Sequence, residues 1–396
     1  MSRFEKVDRI PPYTLSIVNE LKLVARRAGE DVIDLGFGNP DLPTPPHIVA
    51  KLVEAAQDER NHGYSASRGL PNLRRGISRW YRRNFELDLD PETQLINTIG
   101  AKEGLSHFVL AAIQRGDTVL VPDPCYGIHG FSVVIAGGDM LRVPLLPLDG
   151  FLERLRSALE ATWPRPKMII CSFPHNPTTT IVDLSFMGEL VEFCRTSDVM
   201  LVHDFAYAEL GFDSYRPPSV LQVPGALDVA IEFTSLSKSH SMAGWRVGFA
   251  AGNAEMIAAL GRVKSYLDYG TFQPIQIASI IALDGPQDCV GEIVDEYRER
   301  RDVLIDGLGM PGESCWKIEK PQATMFVWAP LPEPFQAQGS LEFSKQLLEQ
   351  ANVAVSPGAG FGPAGEGFVR FALVENTHRI RQAVRSIRRF LKNASV

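Results

Sequence analysis

Through roughly the first three-quarters of the chain, short apolar runs alternate with stretches whose apolar residues fall at helical spacing. Residues 95–99 read as a strand; residues 102–114 then set Leu105, Phe108, Val109, Ala112 and Ile113 on one helical face, and residues 118–121 return to a strand. The alternation continues with strands predicted over 140–144, 168–172, 199–203, 229–234 and 247–251, and a helix over 186–196. Apolar strands separated by helices belong to a mostly parallel sheet covered on both faces, the α/β class. No repeat and no low-complexity segment interrupts the pattern.

After Gly285-Pro286 the period lengthens. Amphipathic helices are predicted over 289–308, 341–351 and 377–391, with strands over 325–328 and 368–373, which describes a smaller α+β domain. The expected organisation is an N-terminal arm and part of the small domain over 1–40, a large ligand-binding domain over 41–285, and the small domain over 286–396. The segment Pro11-Pro12-Tyr13 and a helix over 15–28 are expected to pack on the C-terminal domain or on a partner subunit.

Composition narrows the function. The chain has 396 residues, 45% of them hydrophobic and 22% charged, as in globular proteins rather than disordered or fibrous ones. Its 40 basic and 47 acidic side chains give a formal charge of -7, with no excess to neutralise a nucleic-acid backbone or an anionic leaflet. No nucleic acid and no membrane is expected as partner, and the short N-terminus offers no helix-turn-helix to a regulator. The five cysteines are odd in number and form no Cys-x-x-Cys, so they read as reduced thiols of a cytoplasmic protein. The charged start lacks a signal-peptide core, and no stretch of about 18 apolar residues could span a bilayer. The eight histidines show no metal-ligand spacing, and no Ser-His-Asp arrangement is legible, so neither a metal centre nor serine hydrolysis is expected.

Ligands of open α/β sheets sit at the carboxyl ends of the strands, so the residues following each predicted strand are the candidates. They are Gly100-Ala101-Lys102 at a helix start, Tyr126, Asn176, Asp204 with Tyr207, and Ser235, Ser237 and Lys238 with Arg246. Backbone N–H groups at Ala101 and Lys102 can receive an anion, and the hydroxyls of Ser235 and Ser237 with the Arg246 guanidinium make that anion a phosphate. Lys238 at a strand terminus can form a Schiff base once its amine is partly deprotonated, which Arg246 would favour; a solvated lysine is the alternative. Asp204 at the end of a buried strand needs a partner. The pyridinium nitrogen of pyridoxal phosphate would be one, and a helix N-cap is the other reading. Asn176 and Tyr207 could donate to a phenolate oxygen, although Asn-Pro alone is a turn signal, and Tyr126 could stack on a ring or simply pack. Arg370, in an apolar strand, needs an anion: a substrate carboxylate or an internal Asp or Glu. Gly358-Ala-Gly-Phe-Gly362 opens no βαβ unit and is not a dinucleotide loop. Arg379, Arg381, Arg385, Arg388, Arg389 and Lys392 read as the solvated face of the last helix.

With these residues in hand, the chain resembles the fold type I pyridoxal-phosphate enzymes of the class I/II aminotransferase family over essentially its whole length. The resemblance rests on Gly36-Phe-Gly-Asn-Pro-Asp41, Tyr64-Ser-Ala-Ser-Arg-Gly69, Gly100-Ala-Lys102, His175-Asn-Pro-Thr178, Asp204-Phe-Ala-Tyr207 and Ser235-Leu-Ser-Lys-Ser239, in the family's order. Arg9-Ile-Pro-Pro-Tyr13, Lys264 to Phe272 and Val355 to Gly362 look like the bacterial glutamate–pyruvate (alanine) group. It implies a Schiff base at Lys238, which then acts as general base and acid; Asp204 on the pyridinium nitrogen; Asn176 and Tyr207 on the cofactor oxygen; and Tyr126 on the ring. Phosphate would be held by Ala101, Lys102, Ser235, Ser237 and Arg246, with Tyr64 reaching in from a second subunit. Gly38, Asn176 and Arg370 would hold the substrate carboxylate in a homodimer with shared active sites. The expected reaction passes the amino group of a small L-amino acid, alanine, to the 2-oxo acid 2-oxoglutarate; elimination or replacement on the same fold is the alternative. Two residues depart from the pattern, Cys125 and His240, and either could reshape the pocket. The stretch Tyr269-Gly-Thr-Phe272 offers no arginine for a second carboxylate.

Overall fold

The computed structural model describes residues 4–11, 14–312 and 315–394; Pro12 and Tyr13 of the expected N-terminal contact lie outside them. The alternation of apolar runs becomes one seven-stranded sheet. Numbering strands along the chain, β1 is Ile33–Asp34, β2 Leu95–Thr98, β3 Thr118–Asp123, β4 Asp139–Pro144, β5 Met168–Ser172, β6 Met200–Asp204, β7 Ala230–Ser235 and β8 Gly248–Gly252. The sheet runs β2-β8-β7-β6-β5-β3-β4, and only β8 is antiparallel to its neighbours. Each central strand is buried along its length because it is covered on both sides. Val119, Val121, Ile170 and Phe233 face the helices Ala101–Ala112 and Ala254–Leu267, while Leu120, Ile169, Cys171 and Leu201 face the other layer, which includes Pro71–Phe85 and Leu184–Ser197.

The second core lies in the C-terminal part. There β11 (Ser356–Pro357), β12 (Phe368–Ala372) and β9 (Phe326–Pro330) form an antiparallel sheet, and β1 pairs in parallel with β10 (Val353–Ala354). Helices Asp288–Leu308, Ser340–Ala351 and Thr377–Ala394 cover it, with Leu304, Phe343 and Ile387 buried against Phe371. The N-terminal helix Thr14–Arg27 packs here as well, through Val18 against Leu348 and Ala354, and Lys22 Nζ lies 2.5 Å from Asp34 Oδ2. All five cysteines are free thiols. Among the described residues no helix is long and apolar enough to cross a membrane.

The topology sets the site. β3, β5, β6 and β7 end at one edge of the sheet, and the reversed β8 begins there, since Gly248 pairs with Ser235 on one side and Thr98 on the other. The chain diverges between β3 and β5, which opens a crevice at their carboxyl ends.

Candidate active site

At that edge β2 runs into Gly100, whose φ of +80° turns the chain into the helix Ala101–Ala112. No side chain caps this helix, so its first N–H groups point outward unpaired by a cap, at the positive end of the dipole. A Cβ on Gly100 would stand 2.5 Å from Nη2 of Arg246, which donates to the carbonyl of Ile99 at 3.3 Å. Ser235 Oγ lies 2.8 Å from Ser237 Oγ and accepts from Ser237 N–H at 3.2 Å. The Lys102 side chain is exposed, so only its backbone faces this cradle. Uncapped amides, two hydroxyls and a guanidinium are a donor set suited to a phosphate.

Lys238 sits beyond the end of β7 in the short helix Leu236–Ser239, and its Nζ donates to the carbonyl of Gly38 at 3.1 Å. Burial, then the guanidinium charges of Arg370 and Arg246, bring the amine down to about 8 against the opposing pull of Asp204. The amine is therefore partly free near neutral pH. Uptake of pyridoxal phosphate by the apoenzyme, which consumes the free amine, is expected to speed up with pH around a midpoint of about 8. Stopped-flow absorbance reads this directly, and a midpoint near the ordinary lysine value of 10.5 contradicts it.

Asp204, the last residue of β6, is held on both oxygens: Oδ2 lies 2.8 Å from His129 Nε2, and Oδ1 accepts from Ala206 N–H at 3.3 Å. The helix N-cap, the other reading of Asp204, is not what forms: the chain after β6 goes into a turn, and the carboxylate meets a buried histidine instead. His129, 0% exposed on the helix Gly127–Ala136, escaped the strand-end reading because it follows no strand directly. Tyr126 opens that helix, with its ring edge-on to His129 at 5.8 Å. His175 is also buried, its Nδ1 2.7 Å from Thr178 Oγ1, and desolvation with the nearby His129 pushes it down to about 3, so it is neutral. Tyr207 is buried against Phe326, and desolvation raises its phenol well above the ordinary value, so it stays a donor.

Arg370 on β12 is 4% exposed and reaches across from the second core. Its Nη1 donates to Asn176 Oδ1 at 2.7 Å and its Nη2 to the Gly36 carbonyl at 3.3 Å. Gly38 lies under this contact because a Cβ there would stand 2.7 Å from the Phe326 ring. Gly38, Arg370, Arg246 and Asp204 thus act on Lys238, and Asn176 joins them through Arg370. Tyr64 does not join them within one chain: it is 86% exposed, and its ring lies 4.6 Å from Tyr269. The two departures from the pattern lie in packing positions. His240 Nδ1 is 2.8 Å from Ser239 Oγ and the ring is 0% exposed, while Cys125 is buried with its thiol pushed up to about 11.

Residues 30–387 match the family described as Aminotransferase class I and II. The chain belongs to this aminotransferase family. Among its relatives, a glutamate–pyruvate aminotransferase, AlaC, of Escherichia coli K12 is 54% identical, covering 98% of this chain and 93% of its own. An LL-diaminopimelate aminotransferase of Moorella thermoacetica is 42% identical over 99% of both. The fold is shared with a substrate-bound BacF structure from Bacillus subtilis (TM-score 0.91, 34% identity, 97% of this chain and 96% of that one). It is shared too with a Thermus thermophilus aspartate aminotransferase double mutant (TM-score 0.88, 29% identity, 98% and 99%). Aminotransferases of this class depend on pyridoxal phosphate. An uncapped helix start beside two serines and an arginine, a buried carboxylate and a lysine of lowered pKa are the chemical groups that this cofactor requires.

Proposed function

We propose that this aminotransferase takes its amino group from L-alanine and delivers it to 2-oxoglutarate, yielding pyruvate and L-glutamate. The observation that carries the site assignment is that Lys238 Nζ donates to the Gly38 carbonyl at 3.1 Å while Arg370, bonded to Asn176, stands beside the same glycine, where an added Cβ would lie 3.8 Å from its Nη2. Ala101 and Lys102 amides, Ser235, Ser237 and Arg246 would hold the cofactor phosphate, Asp204 its ring nitrogen, Asn176 and Tyr207 its phenolic oxygen, and Tyr126 its ring face. Once bound, pyridoxal phosphate supplies an electron sink for the bond broken at the substrate Cα. Lys238 Nζ would take up the Cα proton and give it back, and the hydrogen bond with His129 holds the Asp204 carboxylate where the cofactor's ring nitrogen would lie. Arg370 with Asn176, beside the Gly38 backbone, orients the substrate carboxylate so that the Cα proton faces Lys238.

Alanine is supported by the 54% identity with the glutamate–pyruvate enzyme against 42% with the diaminopimelate enzyme. Comparison of kcat/KM for L-alanine and LL-diaminopimelate with 2-oxoglutarate as acceptor tests this. Preference for alanine by about tenfold or more is expected, and preference for diaminopimelate would overturn it.

The two cores correspond in this reading to a large domain over 41–285 and a small one formed by 286–396 with the arm over 1–40. A homodimer completes the site. Tyr64, Tyr269, Tyr266 and Phe272 are 86%, 60%, 89% and 46% exposed, an apolar surface of the kind that monomers seldom leave uncovered. Light scattering is expected to give twice the 43.7 kDa chain mass; a monomeric mass in a fully active sample contradicts shared sites. A cytoplasmic location fits the five free thiols.

A further inference from the structure

The glycine-rich stretch that is no dinucleotide loop has another use. It forms a short turn, Gly358–Phe361, between β11 and β12, and it carries Phe361 to the guanidinium of Arg370. We propose that Phe361 is a positioning residue for the carboxylate-binding fork of Arg370, and that Asp123, from the end of β3 in the large sheet, latches the loop that presents it. This rests on the reading of Arg370 as the substrate-carboxylate group.

The geometry supplies each link. The central carbon of the Arg370 guanidinium lies 4.0 Å from the centre of the Phe326 ring and 4.6 Å from that of Phe361. Two aromatic faces against one buried cation stabilise it and restrict the swing of its long side chain. The Nη atoms remain aimed at Asn176 and Gly36. Phe361 is itself fixed: it is 4% exposed, its ring meets Trp328 edge-on at 6.0 Å, and its carbonyl accepts from Cys125 N–H at 2.9 Å. The next residue explains the glycine. Gly362 has φ of +134°, and any Cβ there would collide with Oδ1 of Asp123. Asp123 Oδ2 accepts from Ala364 N–H at 3.2 Å, and Arg142 Nη1 lies 3.4 Å from its other oxygen. The fork is thus assembled from both sheets: Arg370 and Phe361 come from one, and the carboxylate that seats the loop comes from the other.

The test is a titration of the purified holoenzyme with L-alanine alone, followed at the visible band of the cofactor, in Phe361→Leu, Phe361→Tyr, Asp123→Ala and Arg370→Lys. Phe361→Leu keeps an apolar side chain and removes the ring. It is expected to weaken saturation by L-alanine on the order of tenfold while the limiting rate and the cofactor affinity stay within about twofold. Phe361→Tyr, which restores the ring, is expected to return saturation to within about twofold of the parent. Asp123→Ala leaves Phe361 in place and is expected to give the same pattern at about threefold, because the loop loses one buried hydrogen-bond acceptor. Parental saturation in Phe361→Leu with weakened saturation in Arg370→Lys would overturn the positioning role and leave Arg370 as the carboxylate group. Parental saturation in Arg370→Lys would instead remove the Arg370 reading and this inference with it. A fall in limiting rate without a change in saturation would overturn the inference too, since it would mark general damage or a direct part in the chemistry.

Discussion

Replacing Lys238 with alanine is expected to lower turnover of L-alanine and 2-oxoglutarate by about 10⁴-fold or more, the sum of a lost covalent anchor and a lost proton carrier. Lys238 supplies the amine that bonds the Gly38 carbonyl and feels the charges of Arg370 and Asp204. The fold has little reason to fail, because alanine removes a desolvated amine together with the hydrogen bond it gives the Gly38 carbonyl. Steady-state rates together with circular dichroism separate the outcomes. A folded Lys238→Ala protein that retains more than about a hundredth of the parental rate would show that another group carries the proton.

The second large effect belongs to Arg370. Truncation to alanine removes a charge-assisted, two-pronged partner for a carboxylate and leaves Asn176 Oδ1 without its donor, a loss of about 3–4 kcal/mol or 10²–10³ in kcat/KM for L-alanine. The loss is expected mainly on KM, because the proposed contact of Arg370 with the carboxylate would be made in ground and transition state alike. A further consequence separates this from simple disruption. Arg370 is the larger of the two cationic influences that depress the Lys238 amine, so its removal moves the midpoint of cofactor uptake upward from about 8. An unchanged midpoint with weakened alanine binding would mean that the two groups are not electrostatically coupled.

Much of this site is legible in the sequence because the topology is simple. Parallel strands read as apolar runs, and their carboxyl ends must line the crevice, so Tyr126, Asn176, Asp204 and Lys238 are marked by position alone. Other features depend on contacts that no local pattern carries. His129 lies in a helix of mostly apolar residues, and only the folded chain brings its Nε2 to Asp204, 75 residues away in sequence. The helix Gln273–Asp284 lacks a polar stripe because it packs against the helices Pro46–Gln57 and Pro71–Phe85, so amphipathic spacing does not reveal it. Boundaries shift for local reasons. The helix after β2 starts at Ala101, one residue before its predicted start, because Gly100 takes the left-handed turn, and the last helix extends to Ala394 through polar residues. The glycines of the 358–362 loop are visible as a motif, but their reason, the approach of Asp123 and the seat of Phe361, exists only in three dimensions.

The most direct test of the account is a single-substrate half-reaction: L-alanine added to the purified holoenzyme with no oxo acid present. Loss of the cofactor's visible band, release of one pyruvate per subunit without ammonia, and return of the band on adding 2-oxoglutarate are the expected results. A band that persists with L-alanine yet is lost with LL-diaminopimelate would contradict the proposed donor, and ammonia released in step with pyruvate would contradict amino transfer itself.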